Sequence, residues 1–197
     1  VAISRLRRFL DLDADPLAIG KDLRDDPSLA LMVESLPGLR VLASIDPLET
    51  ICALILRSPE IPGPIGSLAE LQGPGQCEHI VAFPPIEQIG GVDLSRTDIA
   101  PARSSLLAMM FDLIERDELD LSVGADLARA EAMLRSIPGM PRAIVREVRK
   151  RIFSDPDVSD VEVGTRNDGW SPWGSYATAY LRLDGRRTIA RHEGDSR

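Results

Sequence analysis

Apolar residues recur along this chain at helical spacing, with no convincing period-two alternation before Val161. Three stretches near the N-terminus share one start signal. Asp15-Pro16, Asp26-Pro27 and Asp46-Pro47 each place a capping carboxylate before a proline suited to the first helical turn. After Asp26, Leu29, Met32, Val33 and Leu36 keep the helical period until Pro37-Gly38 breaks it. After Asp46 the stripe is Leu48, Ile51, Cys52 and Ile55, with Glu49 placed to complete a capping box. A strongly periodic helix is predicted over 101–116, with Leu106, Met110, Leu113 and Ile114 on its buried side. Asp126 then caps a helix carrying Leu127, Ala130, Leu134 and Ile137. The fold class predicted is all-α.

Breaks in the pattern set the organisation. Residues 57–76, RSPEIPGPIGSLAELQGPGQ, hold too many prolines and glycines for a long helix and read as a loop or linker. Residues 1–183 are expected to form one helical domain, or two helical lobes joined near 57–78, and the polar stretch 184–197 is expected to fray. The sharpest break is Pro138-Gly139, which stops one helix just after Ile137, while Pro141 can open the next. In that second helix Ile144, Val145, Val148 and Ile152 form the apolar stripe, and Arg142, Arg146, Arg149, Lys150 and Arg151 crowd the remaining surface. A basic hairpin followed by the acidic run Asp155 to Asp160 suits a phosphate-bearing ligand.

Composition changes this picture in three places. A net charge of −8 argues against strong non-specific DNA affinity, which comes chiefly from phosphate neutralisation, although a local patch such as 142–151 sets the field at its own site. No apolar run approaches a membrane span and no signal-peptide core is visible, so a cytoplasmic location without membrane contact is expected. Cys52 and Cys77 form no CxxC pair, and with only His79 and His192 beside them no metal site is expected.

The order Leu134-x-x-Ile137-Pro138-Gly139-Met140, an Asp-containing loop, and Trp170-Ser171-Pro172-Trp173-Gly174-Ser175-Tyr176-Ala177 resembles the helix-hairpin-helix DNA glycosylase superfamily. Within it the chain looks like the bacterial alkyladenine branch, 3-methyladenine DNA glycosylase II. The stretch 10–56, with its Pro-Gly-Leu-Arg and Asp-Pro-Leu-Glu phrases, and Phe83-Pro84-Pro85-Ile86-Glu87 are similar to the matching regions of that branch. The resemblance implies a helical bundle and a monofunctional enzyme of base-excision repair. Such an enzyme grips duplex DNA, flips an alkylated purine out and hydrolyses its N-glycosidic bond.

The resemblance assigns residues. Asp160 is the expected catalytic carboxylate. Pro138, Gly139, Met140, Arg142 and Arg146 would hold the DNA backbone, and Trp170, Trp173 and Tyr176 would line the base pocket, although aromatics at such spacing usually bury area instead of stacking on a base. A monomer is expected, with no cofactor. Ala143 stands in the neighbourhood of the lysine that bifunctional relatives use, so no lyase step is expected.

Several departures keep a second reading open. Pro141 replaces a hairpin glycine and removes an N–H, the connection from Asp160 to Trp170 is short, and Arg182 lies near the family's pocket tryptophan. Leu56-Arg57-Ser58-Pro59 also lacks the family's continuation into a DNA-inserting loop. The alternative is a catalytically degenerate member that binds DNA or protein without chemistry. The resemblance begins almost at Val1, so the family's separate N-terminal β-rich domain is expected to have no counterpart in this chain.

Overall fold

The computed structural model describes residues 2–66, 71, 83–158 and 169–183. Among them every regular element is a helix, in the order α1 Ala2–Phe9, α2 Pro16–Arg24, α3 Ala30–Ser35, α4 Pro47–Arg57, α5 Ile86–Ile89, α6 Pro101–Glu115, α7 Leu127–Ser136 and α8 Arg142–Arg151. A single 3-10 turn lies at Leu94–Arg96, and residues 174–183 are helical. The all-α expectation holds.

The chain divides into two compact units, residues 44–153 and residues 1–43 with 154–197. The Pro- and Gly-rich stretch that follows α4 belongs to the 44–153 unit. The described part of that stretch stays inside the 44–153 unit, because its carbonyls are held there by Arg103 of α6.

In the 44–153 unit, α4, α6, α7 and α8 enclose a core in which Ile51, Ile55, Leu107, Met110, Leu134 and Val148 are almost fully buried. Local chemistry explains the starts. Asp46 accepts the Glu49 amide at 2.9 Å, and Asp126 accepts those of Ala128 and Arg129 at 2.9 and 3.1 Å. Cys52 is fully buried, and burial, aided by the charges of Asp46 and Glu49, pushes its thiol well above the ordinary range. It is an inert core residue.

The other unit packs α2 and α3 against the 174–183 helix through Ile19, Leu23, Leu29, Val33, Ala177 and Tyr180. Asp15 caps α2 through the amides of Leu17 and Ala18. Asp26 does not cap a helix as its sequence context predicts. One carboxylate oxygen is taken by the Ser28 amide and hydroxyl at 2.8 and 2.6 Å, the other by the Trp170 indole N–H at 2.7 Å, and α3 starts only at Ala30. A distant tryptophan and a local Asx turn outcompete the cap.

Candidate nucleic-acid interface

The hairpin is built from the end of α7, the turn 137–141 and the start of α8. Ile137 caps α7 in an extended conformation, and Gly139 takes φ +81°, a left-handed turn that a side chain would strain. Pro141 precedes α8 rather than opening it, with ψ 138°, so the helix starts one residue later than its sequence suggests. No side chain caps α8. The amides of Arg142 and Ala143 belong to a first turn that has no preceding carbonyl to bind, and the helix dipole adds partial positive charge there. Such an end accepts an anion.

The five DNA-holding candidates are placed as follows. Pro138, Gly139 and Arg142 are exposed, Met140 is half-buried against the core, and Arg146 is half-buried one turn into α8. The basic face of α8 is narrower than its sequence implies. Lys150 is buried and pairs with Glu147 at 2.9 Å, Arg151 lies 4.0 Å from the same carboxylate, and Arg149 lies 3.6 Å from Glu131. Exposed Arg142 stands at the start of α8, next to its uncapped amides.

The aromatic candidates belong to the other unit. Trp170 and Tyr176 are buried, and each polar atom is engaged: the Trp170 indole on Asp26, and the Tyr176 hydroxyl on Asp11 at 2.7 Å. Burial, then the hydrogen bond to Asp11, pushes the Tyr176 phenol well above its usual range. Trp173 is half-buried, donates to Asp22 at 2.8 Å and stands edge-on to Tyr176, with ring centroids 5.8 Å apart. These rings tie the 174–183 helix to α2 and α3. Trp170→Phe is expected to lose about 1 kcal/mol by stranding the Asp26 oxygen, read as a lowered urea midpoint.

Asp160 lies outside the described residues, as do Cys77, His79 and His192. The strap leading towards Asp160 is well fixed. Asp157 accepts the Ser171 hydroxyl at 2.7 Å and the Gly174 amide at 3.2 Å, while buried Ser175 accepts the Val158 amide and donates to the Asp155 carbonyl. Arg182 is exposed. Among the described residues no cluster of His, Cys, Asp and Glu is suited to a metal.

Residues 1–46 match the family model described as the AlkA N-terminal domain, and the described part of that stretch holds helices α1 to α3 and no strand. Over 209 aligned residues the chain is 29% identical to a Mycobacterium tuberculosis protein named a probable bifunctional transcriptional activator/DNA repair enzyme AlkA, in strains CDC 1551 and H37Rv alike. That alignment takes in 91% of this chain and 42% of the relative, so the chain spans less than half the relative's length. Among solved structures, the Clostridium acetobutylicum 8-oxoguanine glycosylase/lyase bound to DNA superposes with a TM-score of 0.72 over 93% of this chain and 74% of its own, at 17% identity. MBOgg1 in complex with a low-affinity DNA ligand does so at 0.71, with the same coverage and 19% identity. The chain thus shares the fold of these DNA glycosylases and is similar in sequence to the AlkA-named protein.

One residue of this chain escapes a reading of its sequence. Arg103 on α6 is 1% exposed, and its guanidinium donates to five backbone carbonyls: Ile55, Ser58, Ile61, Gly63 and Pro64, at 2.7 to 3.2 Å. Among the described residues no carboxylate lies within ion-pair distance. The cation is balanced instead by carbonyl dipoles, including Ile55 in the last turn of α4, where the helix dipole is negative. Arg103 stands four residues before Leu107 and seven before Met110, on the buried face of α6, and that register was the available signal.

Proposed function

We propose that this chain binds duplex DNA through the 137–146 hairpin and hydrolyses the N-glycosidic bond of an alkylated purine such as 3-methyladenine. The observation that carries the reading is the hairpin's geometry. An uncapped helix start, a left-handed glycine and exposed Arg142 together present amides and positive charge to a phosphate. The relation to the AlkA-named protein over 91% of the chain supports it.

The chemistry follows from charge. Alkylation at a ring nitrogen makes the purine cationic and a good leaving group, so the barrier lies in supporting an oxocarbenium-like sugar and directing water to its anomeric carbon. An ionised Asp160 serves both needs. Ala143 offers no amine for a Schiff base, so the reaction ends at an abasic site with the strand intact. Of the three aromatic candidates Trp173 keeps exposed surface, while Trp170 and Tyr176 act through packing.

The 8-oxoguanine enzymes share the fold, which makes the identity of the base the point to test. Alkylated duplex DNA and a duplex with 8-oxoguanine opposite cytosine, each incubated with the protein, should differ. Release of methylated purine alone is expected. Release of 8-oxoguanine alone would overturn the base assignment. Release from neither favours the degenerate scaffold, for which Pro141, with no N–H to give a phosphate, is the supporting observation.

A further inference from the structure

The first amides of the 174–183 helix have no acceptor within their own helix, and the strap 155–158 supplies them. The Asp157 carboxylate takes the Gly174 amide at 3.2 Å, and the Pro156 carbonyl takes the Ser175 amide at 2.9 Å. The helix dipole favours a carboxylate at that end. Ser175 binds the strap in return. Its hydroxyl accepts the Val158 amide at 3.1 Å and donates to the Asp155 carbonyl at 2.7 Å, and both Ser175 and Val158 are buried. Gly174 permits the close seat. A Cβ there would stand 3.1 Å from the Asp157 carboxylate and 3.3 Å from the Val158 carbonyl carbon, tighter than side chains ordinarily pack.

These bonds also sort the carboxylates of the acidic run. Asp157 commits one oxygen to Gly174 and the other to the Ser171 hydroxyl, and Asp155 accepts the Asp157 amide at 3.0 Å. Both carboxylates are therefore parts of the strap's own structure. Asp160 follows Val158 by two residues, so the chain can carry its Cα no further than roughly 7 Å from that fixed point.

We propose that Ser175 is a positioning residue for the Asp160 carboxylate, acting through the strap that its hydroxyl clamps to the start of the 174–183 helix. The proposal rests on the DNA-glycosylase reading for its reaction and adds a residue to it. Support of a developing positive charge depends on where the carboxylate stands. A misplacement of about 1 Å costs up to roughly a hundredfold in rate, so the anchor of the strap matters although it lies away from the reacting atoms.

The test uses the full chain and three variants. Ser175→Ala removes the clamping hydroxyl, and Gly174→Ala presses on the strap without deleting a hydrogen bond. Tyr180→Phe, which loses the bond to the Leu36 carbonyl from the same helix, is the structural control. Each is assayed well below its melting temperature for duplex binding, for single-turnover base release from alkylated and 8-oxoguanine duplexes, and for exchange of the Val158 amide by NMR. Ser175→Ala should release base roughly 10- to 100-fold more slowly with unchanged binding and faster Val158 exchange. Gly174→Ala should show a smaller fall, and it carries the comparison if Ser175→Ala fails to fold. Tyr180→Phe should match the wild type. Unchanged Val158 exchange in Ser175→Ala overturns the clamp. Faster exchange with wild-type release, or an equal fall in Tyr180→Phe, overturns the positioning role. Faster exchange while the wild type itself releases neither base overturns the glycosylase reading, and the positioning role with it, and keeps the clamp as structure alone.

Discussion

Arg103→Ala should be the most destabilising single substitution in the 44–153 unit, at about 4 kcal/mol or more. It removes the guanidinium from five carbonyls, of which Ser58 keeps the Ile61 amide at 3.5 Å, and a buried acceptor left unsatisfied costs roughly 1–3 kcal/mol. It also opens a cavity of side-chain size between α6 and the end of α4. Arg103→Met, which fills space without donating, should recover only the packing part. Arg103→Lys should fall between, since one ammonium with three protons cannot serve five acceptors. Urea unfolding with a tryptophan-independent probe such as far-ultraviolet circular dichroism would measure the series. A domain of ordinary stability, about 5–15 kcal/mol, has little left after such a loss. If Arg103→Ala unfolds at the wild-type midpoint, the guanidinium is not the support described above.

What the sequence made legible was local. Asp15, Asp46 and Asp126 announce their helices because a carboxylate one turn away satisfies amides with no help from elsewhere. The α7–α8 hairpin is equally readable, because Pro138 and Gly139 act on their own backbone. Where a distant partner intervenes, the pattern fails. Asp26 is claimed by Trp170, 144 positions away, and Arg103 by carbonyls about 40 to 48 positions back. Helix α1 went unnoticed for a different reason. Ile3 and Leu6 are 76% and 54% exposed, no residue of α1 is buried, and its described start carries no capping signal. The basic face of α8 was overread because Glu147 and Glu131 draw off Lys150 and Arg149. Of the candidate site, the hairpin's phosphate-facing end is the part that residue types and spacing reveal, since its chemistry resides in the backbone.

Asp160→Asn should remove base release while leaving DNA binding intact. The substitution keeps the size of the side chain and its capacity to accept a hydrogen bond, and deletes only the negative charge. The phosphate contacts proposed for the hairpin amides and Arg142 do not involve that charge, so affinity should change little. On the proposed mechanism the developing positive charge on the sugar depends on it directly. Loss of one preorganised electrostatic partner in an active site typically slows the chemical step by roughly a hundredfold to a thousandfold. On the proposed mechanism the alkylated base needs no general acid to leave, so the charge of Asp160 should carry most of the effect.

The measurement that tests the account most directly is therefore single-turnover release of methylated purine from alkylated duplex DNA, by wild type and by Asp160→Asn, with binding to the same duplex followed in parallel. The account predicts release by the wild type, a fall of at least about a hundredfold in the variant, and equal binding by both. Binding without release from either protein, each shown to be folded and helical, would contradict it and leave a DNA-binding scaffold in place of an enzyme.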